Sequence, residues 1–283
     1  MCIPGCLERV RTELSRRQVL RGAAMAAGTA LGLKAGGLAA EKPARVFARS
    51  PNNSFRRVVD LTHPYSNQFP HWRGGGAVVE RTVMNSTADG EDWNVYQWLL
   101  DEHAGTHIDA PFHRNADGIT VDQIPAEDLV LPLAIVNIQA KAAGDDDAVV
   151  TVDDLKAWEE KYGKLPAGCC VAMNSGWDKH VAGNKFINFD EEGVRHFPGF
   201  HAEAATFLLE ERDVTALAVD TASLDHGSTV DFPVHVAWLG ANRWGLENVA
   251  QLSRVPAWGA TIVVGAPRIV GASGGHSRTF AMV

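Results

Sequence analysis

Cysteine is nearly absent from this chain. There are four in 283 residues: Cys2 and Cys6 near the start, and the adjacent pair Cys169 and Cys170. Neighbouring cysteines are badly placed to bridge one another, so no disulfide framework is implied. CCVAM reads instead as a buried strand of small apolar side chains. Also missing is an apolar run of the roughly 20 residues that span a bilayer. The nearest approach, an Ala/Gly-rich stretch close to the N-terminus, is interrupted by Lys34. Basic charge is scarce beyond that stretch. Residues 1–40 hold six Lys/Arg and two Glu, a net of +4, which leaves twenty bases against thirty-two acids, a net of −12, in the remainder. So acidic a chain is a poor partner for nucleic acid or an anionic membrane, where Lys and Arg must replace counterions. No repeat or long low-complexity segment follows residue 50. What is left is ordinary globular composition, 46% hydrophobic and 21% charged, long enough for one large domain.

The first 48 residues stand apart. Paired Arg16 and Arg17 precede the weakly apolar stretch, and small residues follow at Gly37, Ala39, Ala40 and Ala48. A charged n-region, a short apolar h-region and small residues near a cut site make a secretory signal. SRRQVL also resembles the twin-arginine export signal of bacteria. The expectation is a signal peptide and linker over 1–48, cleaved after Ala39, Ala40 or Ala48, and a single domain over 49–283 that is exported, periplasmic or secreted. An N-terminal anchoring helix is the competing view; Lys34 and the shortness of the run argue against it.

Strand-like runs recur along the rest: RVVDL (57–61), AVVERTV (77–83), LAIVNI (133–138), CCVAMNS (169–175), ALAVDT (216–221) and ATIVVGAPRIV (260–270). Between them lie helix-like stretches. VDDLKAWEEKYG (152–163) follows Thr151, a plausible N-cap, and closes on Gly163. HAEAATFLLEERD (201–213) spaces Ala204, Phe207, Leu208 and Glu211 for a helix and leads into ALAVDT. Alternating strands and helices imply a mixed α/β domain with partly parallel pairing. LENV (246–249) reads as a helix start.

The densest chemistry lies in HAGTHIDAPFH, residues 103–113. His103, His107, Asp109 and His113 are separated by even offsets, so in an extended segment all four side chains start on one side. A helix would scatter Asp109 and His113 round its cylinder. Pro111 cannot continue a central strand, and Gly105 permits close backbone approach. The segment is therefore expected to be a strand end running into a tight loop, with imidazoles and a carboxylate projecting into one pocket. Imidazole nitrogen and carboxylate oxygen suit zinc, manganese or iron. Closed structural zinc sites usually lean on cysteine, and none lies near the motif.

HAGTHIDAPFH matches the H-x-G-T-H-x-D-x-P-x-H motif of the cyclase family, which includes bacterial kynurenine formamidases and isatin hydrolases. DLTHPYSNQFPHW (60–72), NSGWDKH (174–180), FPGF (197–200), DTASLD (220–225) and FPVHVAWLGANRWGLENV (232–249) resemble later family segments in the same order. The resemblance spans residues 57–283 and implies a swivelling β/β/α fold and a homodimer. It also implies that His103, His107 and Asp109 hold a first metal, that His235 and Glu247 complete a two-zinc site, and that His113 does general acid/base work. By themselves His235 and Glu247 would be weak candidates, since a histidine among aromatics is more often a satisfied core residue.

The chemistry suits hydrolysis. A bound divalent ion supplies a water nucleophile at neutral pH and polarises a carbonyl, and a histidine of pKa about 6.5 can pass a proton to the departing nitrogen. The leading expectation is a metal-dependent hydrolase of non-peptide C–N bonds, opening an aryl formamide or cyclic amide, with zinc as one or two ions. Manganese-dependent ring opening of the isatin hydrolase type and lactone hydrolysis are alternatives. From a different class, a non-catalytic periplasmic metal-binding protein would have no use for His113. Phe69, Trp72, Trp93, Trp98, Trp177 and Trp238 could each wall an aromatic pocket or pack a core; Trp72, beside the expected pocket edge, is the first choice for touching substrate. Asp220, Ser223 and Asp225 either support the site or fold a strand-end turn, the turn being the favoured reading, and His276 stands where the family often has proline.

Overall fold

Alternation decides which way each strand faces. In a computed structural model, which describes residues 55–283, the strands are β1 (Val58–Asp60), β2 (Val79–Asn85), β3 (Val95–Leu100), β4 (His107–Asp109), β5 (Val130–Asn137), β6 (Val149–Val150), β7 (Cys170–Asn174), β8 (Gly199–Phe200), β9 (Ala216–Val219), β10 (Trp244–Glu247), β11 (Ala260–Gly265), β12 (Gly274–His276) and β13 (Arg278–Met282). The helices are α1 (Gln139–Ala142), α2 (Val152–Tyr162), α3 (Ala202–Glu210) and α4 (Pro233–Gly240). The expected leader over 1–48 lies outside the described residues. None of the described helices is long and apolar enough to cross a membrane.

Nine strands form one curled sheet in the order β1-β13-β11-β5-β7-β9-β10-β4-β12. The β5-β7-β9-β10 run is parallel and the remaining pairings of this sheet are antiparallel. Leu133, Ile135, Cys170, Ala172, Ala216 and Ala218 point into one core cluster. Their neighbours Ala134, Val136, Val171, Met173, Leu217 and Val219 point into the other, which the helices cover. This is the period of two expected of strands buried on both faces. Cys169 and Cys170 fall on opposite sides for the same reason, each free and buried. Burial pushes the Cys169 thiol up to about 12 and raises Cys170 well above the ordinary thiol value, so neither is a nucleophile at neutral pH.

Helix α2 begins as its sequence indicates. The Thr151 hydroxyl accepts from the Asp154 amide, and the Asp154 carboxylate accepts from the Thr151 amide, a reciprocal cap worth about 1 kcal/mol. Leu155 and Trp158 form its buried face, and the Trp158 indole donates to the Ile135 carbonyl at 3.0 Å. That bond ties the helix to the central strand.

Two expectations need correcting, and one expected strand lies in a separate hairpin. LENV is not a helix start: Trp244–Glu247 is a strand, because pairing with β9 on one side and β4 on the other outweighs the local pattern. The 260–270 run ends as a strand at Gly265, two residues before Pro267, which could not have donated to a ladder. The 77–83 run lies outside the main sheet, since β2 pairs only with β3. That hairpin leaves Trp98 and Leu99 more than half exposed.

Candidate metal centre and active-site pocket

Strand β4 is three residues long and buried between two neighbours. Ile108 points into the core, so His107 and Asp109 must point together to the other face. The register sets Glu247 of β10 directly opposite His107, and His276 of β12 opposite it on the far side. Two glycines permit the crowding. Gly105 has φ +66°, and a Cβ there would lie 2.5 Å from the Tyr65 ring; a Cβ on Gly274 would lie 2.4 Å from the His103 ring.

Each of the three central imidazoles is held by one ring nitrogen. His107 Nδ1 lies 2.9 Å from the Gly105 carbonyl, and His235 Nδ1 lies 2.6 Å from Asp225 Oδ2. His103 Nε2 lies 2.9 Å from Ser273 Oγ, whose hydrogen goes to Glu102 at 2.7 Å. These acceptors fix each tautomer and leave His107 Nε2, His235 Nε2 and His103 Nδ1 facing carboxylates. His107 Nε2 is 3.2 Å from Asp109 Oδ1 and 3.5 Å from Glu247 Oε2. His235 Nε2 is 3.2 Å from Glu247 Oε1 and 3.5 Å from Asp109 Oδ2. His103 Nδ1 is 2.6 Å from Asp109 Oδ1.

Electrostatics asks for a cation among them. Burial disfavours a charged His107, yet Asp109 and Glu247 push it up to about 9. Burial opposes protonation of His235 also, but Asp109, Asp225 and Glu247 raise it well above the ordinary value. Asp109 is buried, and His107 and His103 nevertheless hold it well below the usual carboxylate range. The donors fit a divalent metal. His107 Nε2 is buried with no hydrogen-bond partner, and nitrogen and oxygen ligands converge with Asp109 shared between His103/His113 and His107/Glu247 groupings.

Every residue expected at the metal site is thus gathered in one place. His113 arrives on the single turn Pro111–His113 that follows β4, its ring 3.9 Å from that of His103 and 6.1 Å from that of His235. Burial pulls it down to about 4, and the neighbouring imidazoles add to the effect. His276 is elsewhere, its ring centre 4.3 Å from that of Tyr65 and outside the pocket lining.

The pocket is a cleft of about 460 Å³. Trp72 lines it, as expected, together with Phe197 and Phe232. Phe69, Trp177 and Trp238 are core residues, while Trp93 and Trp98 are exposed away from it. Asp225, read from sequence as a turn residue, does more. It accepts from the amides of Val234 and His235 at the start of α4 and from the His235 ring, so one carboxylate caps the helix and aims its imidazole. An acidic residue upstream of a Pro-initiated helix was its only sequence signal. Asp220 is structural: it accepts from Ser175 N and Oγ, Gly176 N and Trp177 N. Burial pushes its carboxyl up to about 6 while these donors pull it down.

A family model described as "Putative cyclase" matches residues 59–226. The chain belongs to that cyclase family. Isatin hydrolase of Roseibium aggregatum is 34% identical over 202 residues, covering 68% of this chain and 74% of that protein. Kynurenine formamidase of Salinibacter ruber is 24% identical over 199 residues, 70% and 84% of the two chains. Among solved structures, isatin hydrolase A from Labrenzia aggregata bound to benzyl benzoate superposes with a TM-score of 0.74 at 31% identity, covering 80% of this chain and 93% of that one. Isatin hydrolase A from Ralstonia solanacearum gives 0.73 at 34% identity, covering 80% and 92%. The mixed α/β architecture with its curled sheet is therefore the family's fold, and relatives that are hydrolases support an enzyme of the same kind here.

The cyclase-family pocket has one wall held by a histidine that is not a metal-site candidate. His196 Nδ1 lies 2.6 Å from Asp147 and Nε2 lies 3.1 Å from Asp190. Those hydrogen bonds raise its pKa. The stabilisation is fully present below the unfolded value of about 6.5 and is lost as pH rises through the higher folded value. His196→Gln is expected to lower the urea midpoint more at pH 6 than at pH 9. Equal shifts at the two pH values would contradict this.

Proposed function

We propose that this chain is a metal-dependent hydrolase of non-peptide C–N bonds whose substrate is a cyclic or N-acyl aryl amide. One observation carries the reading: three imidazoles, each held by one ring nitrogen, turn the other towards Asp109 and Glu247 beside an aromatic-walled cleft. His103, His107, Asp109, His235 and Glu247 would hold the ion, zinc or manganese. When bound, such an ion supplies a water nucleophile at neutral pH and polarises the amide carbonyl.

The chain's own residues do the rest. Trp72 and Phe232, edge to face at 6.4 Å, would flank a planar ring. His113 is neutral at pH 7 and would take a proton from the attacking water. It would return that proton to the nitrogen as the C–N bond breaks with its electron pair on nitrogen, while the hydroxyl stays on the carbonyl carbon. Ring opening of the isatin hydrolase type, an alternative in the sequence reading, is favoured here over cleavage of an open formamide. The relatives named isatin hydrolase are more similar to this chain than the kynurenine formamidase is.

A second reading of His113 has its own support, since it groups with His103 and Asp109 closely enough for the three to share one ion. His113→Ala separates the two roles. The expected outcome is unchanged metal content by elemental analysis with turnover of isatin reduced by about 10²–10⁴-fold. Loss of metal together with activity would make His113 a ligand. Wild-type enzyme that holds metal but opens neither isatin nor an N-formyl aryl amide would remove the proposed reaction.

A further inference from the structure

The pocket wall leading away from the metal candidates ends in a cation with no counter-ion. Arg195 sits with its guanidinium carbon 4.9 Å from the centre of the Trp72 ring. Trp72 meets Phe232 edge-on at 6.4 Å, and Phe232 meets His235 edge-on at 6.0 Å. A ladder of two aromatic rings thus separates the guanidinium from an imidazole of the metal site, and all four side chains line one cleft.

Arg195 is half-buried, and burial alone lowers its pKa. Among the described residues no carboxylate lies within 4 Å of it, and its side chain donates no hydrogen bond. Elsewhere the fold pairs such groups: Arg212 donates to both oxygens of Glu159, at 2.6 and 2.9 Å. Two further cations face the same cleft without an acidic partner. Arg73 stands 5.6 Å from the Trp72 ring centre, and Arg114 stands 5.7 Å from that of Phe232. Asp101 and Glu102 line the same cleft but form no ion pair with these arginines; Asp101 accepts from the Val78 amide and faces His71, and Glu102 accepts from Ser273. Three guanidinium groups therefore line one cleft, Arg73 and Arg114 exposed and Arg195 half-buried, and a bound anion would be attracted to all three.

The backbone around Arg195 is set in place beforehand. His196 is clamped between Asp147 and Asp190, and its carbonyl accepts from Asn188 Nδ2 at 2.9 Å. The Gly227 amide donates to the Phe197 carbonyl at 2.8 Å, and a Cβ on Gly227 would come 2.8 Å from the Arg195 carbonyl carbon. A side chain carried by so fixed a segment loses less freedom when it binds.

We infer that Arg195, seated on Trp72, is a specificity residue, and that the favoured substrate carries a carboxylate on its aromatic ring, remote from the scissile amide. The planar fork of arginine matches a carboxylate bidentately, which lysine cannot reproduce. The substrate class rests on the hydrolase reading above, but the following measurement does not.

Benzohydroxamate and 4-carboxybenzohydroxamate share a metal-binding head and differ in the distal carboxylate. Their dissociation constants are measured by calorimetry on the metal-loaded protein, wild type and Arg195→Gln. The expected result is a preference of about 10- to 100-fold for the carboxylated probe in wild type. The preference should be lost in Arg195→Gln, with benzohydroxamate affinity unchanged, and partly kept in Arg195→Lys. The inference is overturned if wild type shows no preference, if the preference survives Arg195→Gln, or if the carboxylated probe does not bind. Should Arg195→Gln fail to fold, Arg195→Lys must still weaken the preference. An Arg195-dependent preference without turnover of any aryl amide would sink the hydrolase reading alone. Turnover of isatin without the preference would sink this inference alone.

Discussion

Replacing Asp109 by asparagine is expected to lower kcat/KM by on the order of 10³-fold, or about 4 kcal/mol of transition-state stabilisation. Asp109 is the carboxylate shared by both candidate ligand groupings. One oxygen faces His103 and His107, and the other faces His235. The amide keeps the volume and loses the charge, so the loss would report on electrostatics rather than packing. Metal content should fall with activity, because a carboxylate held between imidazoles is the strongest anionic ligand on offer. Elemental analysis beside steady-state kinetics measures both. Full metal occupancy with less than a tenfold loss of kcat/KM would remove Asp109 from the centre of the site. Thermal unfolding of the metal-free forms adds a check. The mutation breaks a buried pair with His107 and should destabilise by about 3–5 kcal/mol.

The largest effect on stability alone should come from Asp220→Ala. The Asp220 carboxylate is 1% exposed, and the Ser175, Gly176 and Trp177 amides that donate to it have no other acceptor among the described residues. Deleting it strands those donors in a buried turn, at about 1–3 kcal/mol each before relaxation. A loss of about 3–5 kcal/mol is expected, lowering Tm by roughly 10 °C in a domain of this size. Asp220→Asn keeps an acceptor but sets an NH₂ against backbone N–H groups, so an intermediate loss is expected. Chemical denaturation measures each variant, and a loss below about 1 kcal/mol for Asp220→Ala would mean that water replaces the carboxylate. Nothing in this turn touches the metal candidates, so surviving protein should retain its metal.

Much of the molecule was open to reading in one dimension, for identifiable reasons. The even spacing of His103, His107, Asp109 and His113 already required an extended segment, and β4 followed by the Pro111 turn is what formed. The strands at 133–138, 169–175 and 216–221 showed themselves as short apolar runs between helix patterns, and Thr151 marked the start of α2. Glu247 was misplaced because WGLE has no local preference strong enough to announce a strand. Its conformation comes from β9 and β4, which lie elsewhere in the chain. For Asp225 the turn was favoured over a role in supporting the site, because its partner, His235, returns to it only across an irregular loop. Arg195 drew no notice at all, since a single arginine in a polar stretch is ordinary until its counter-ion is found missing.

The division follows from range. Ligand chemistry, strand period and helix caps depend on residues within about a turn or two of one another, so local pattern was enough to put a nitrogen- and oxygen-rich cluster on a strand end in a mixed α/β domain. Which carboxylate faces which imidazole, and which cation waits across the cleft, depends on the register of β4 between β10 and β12 and on how separate loops close over it. A one-residue slip in that register would turn His107 and Asp109 to the opposite face. Only the tertiary structure, by burying Ile108 on one side, decides which way they point.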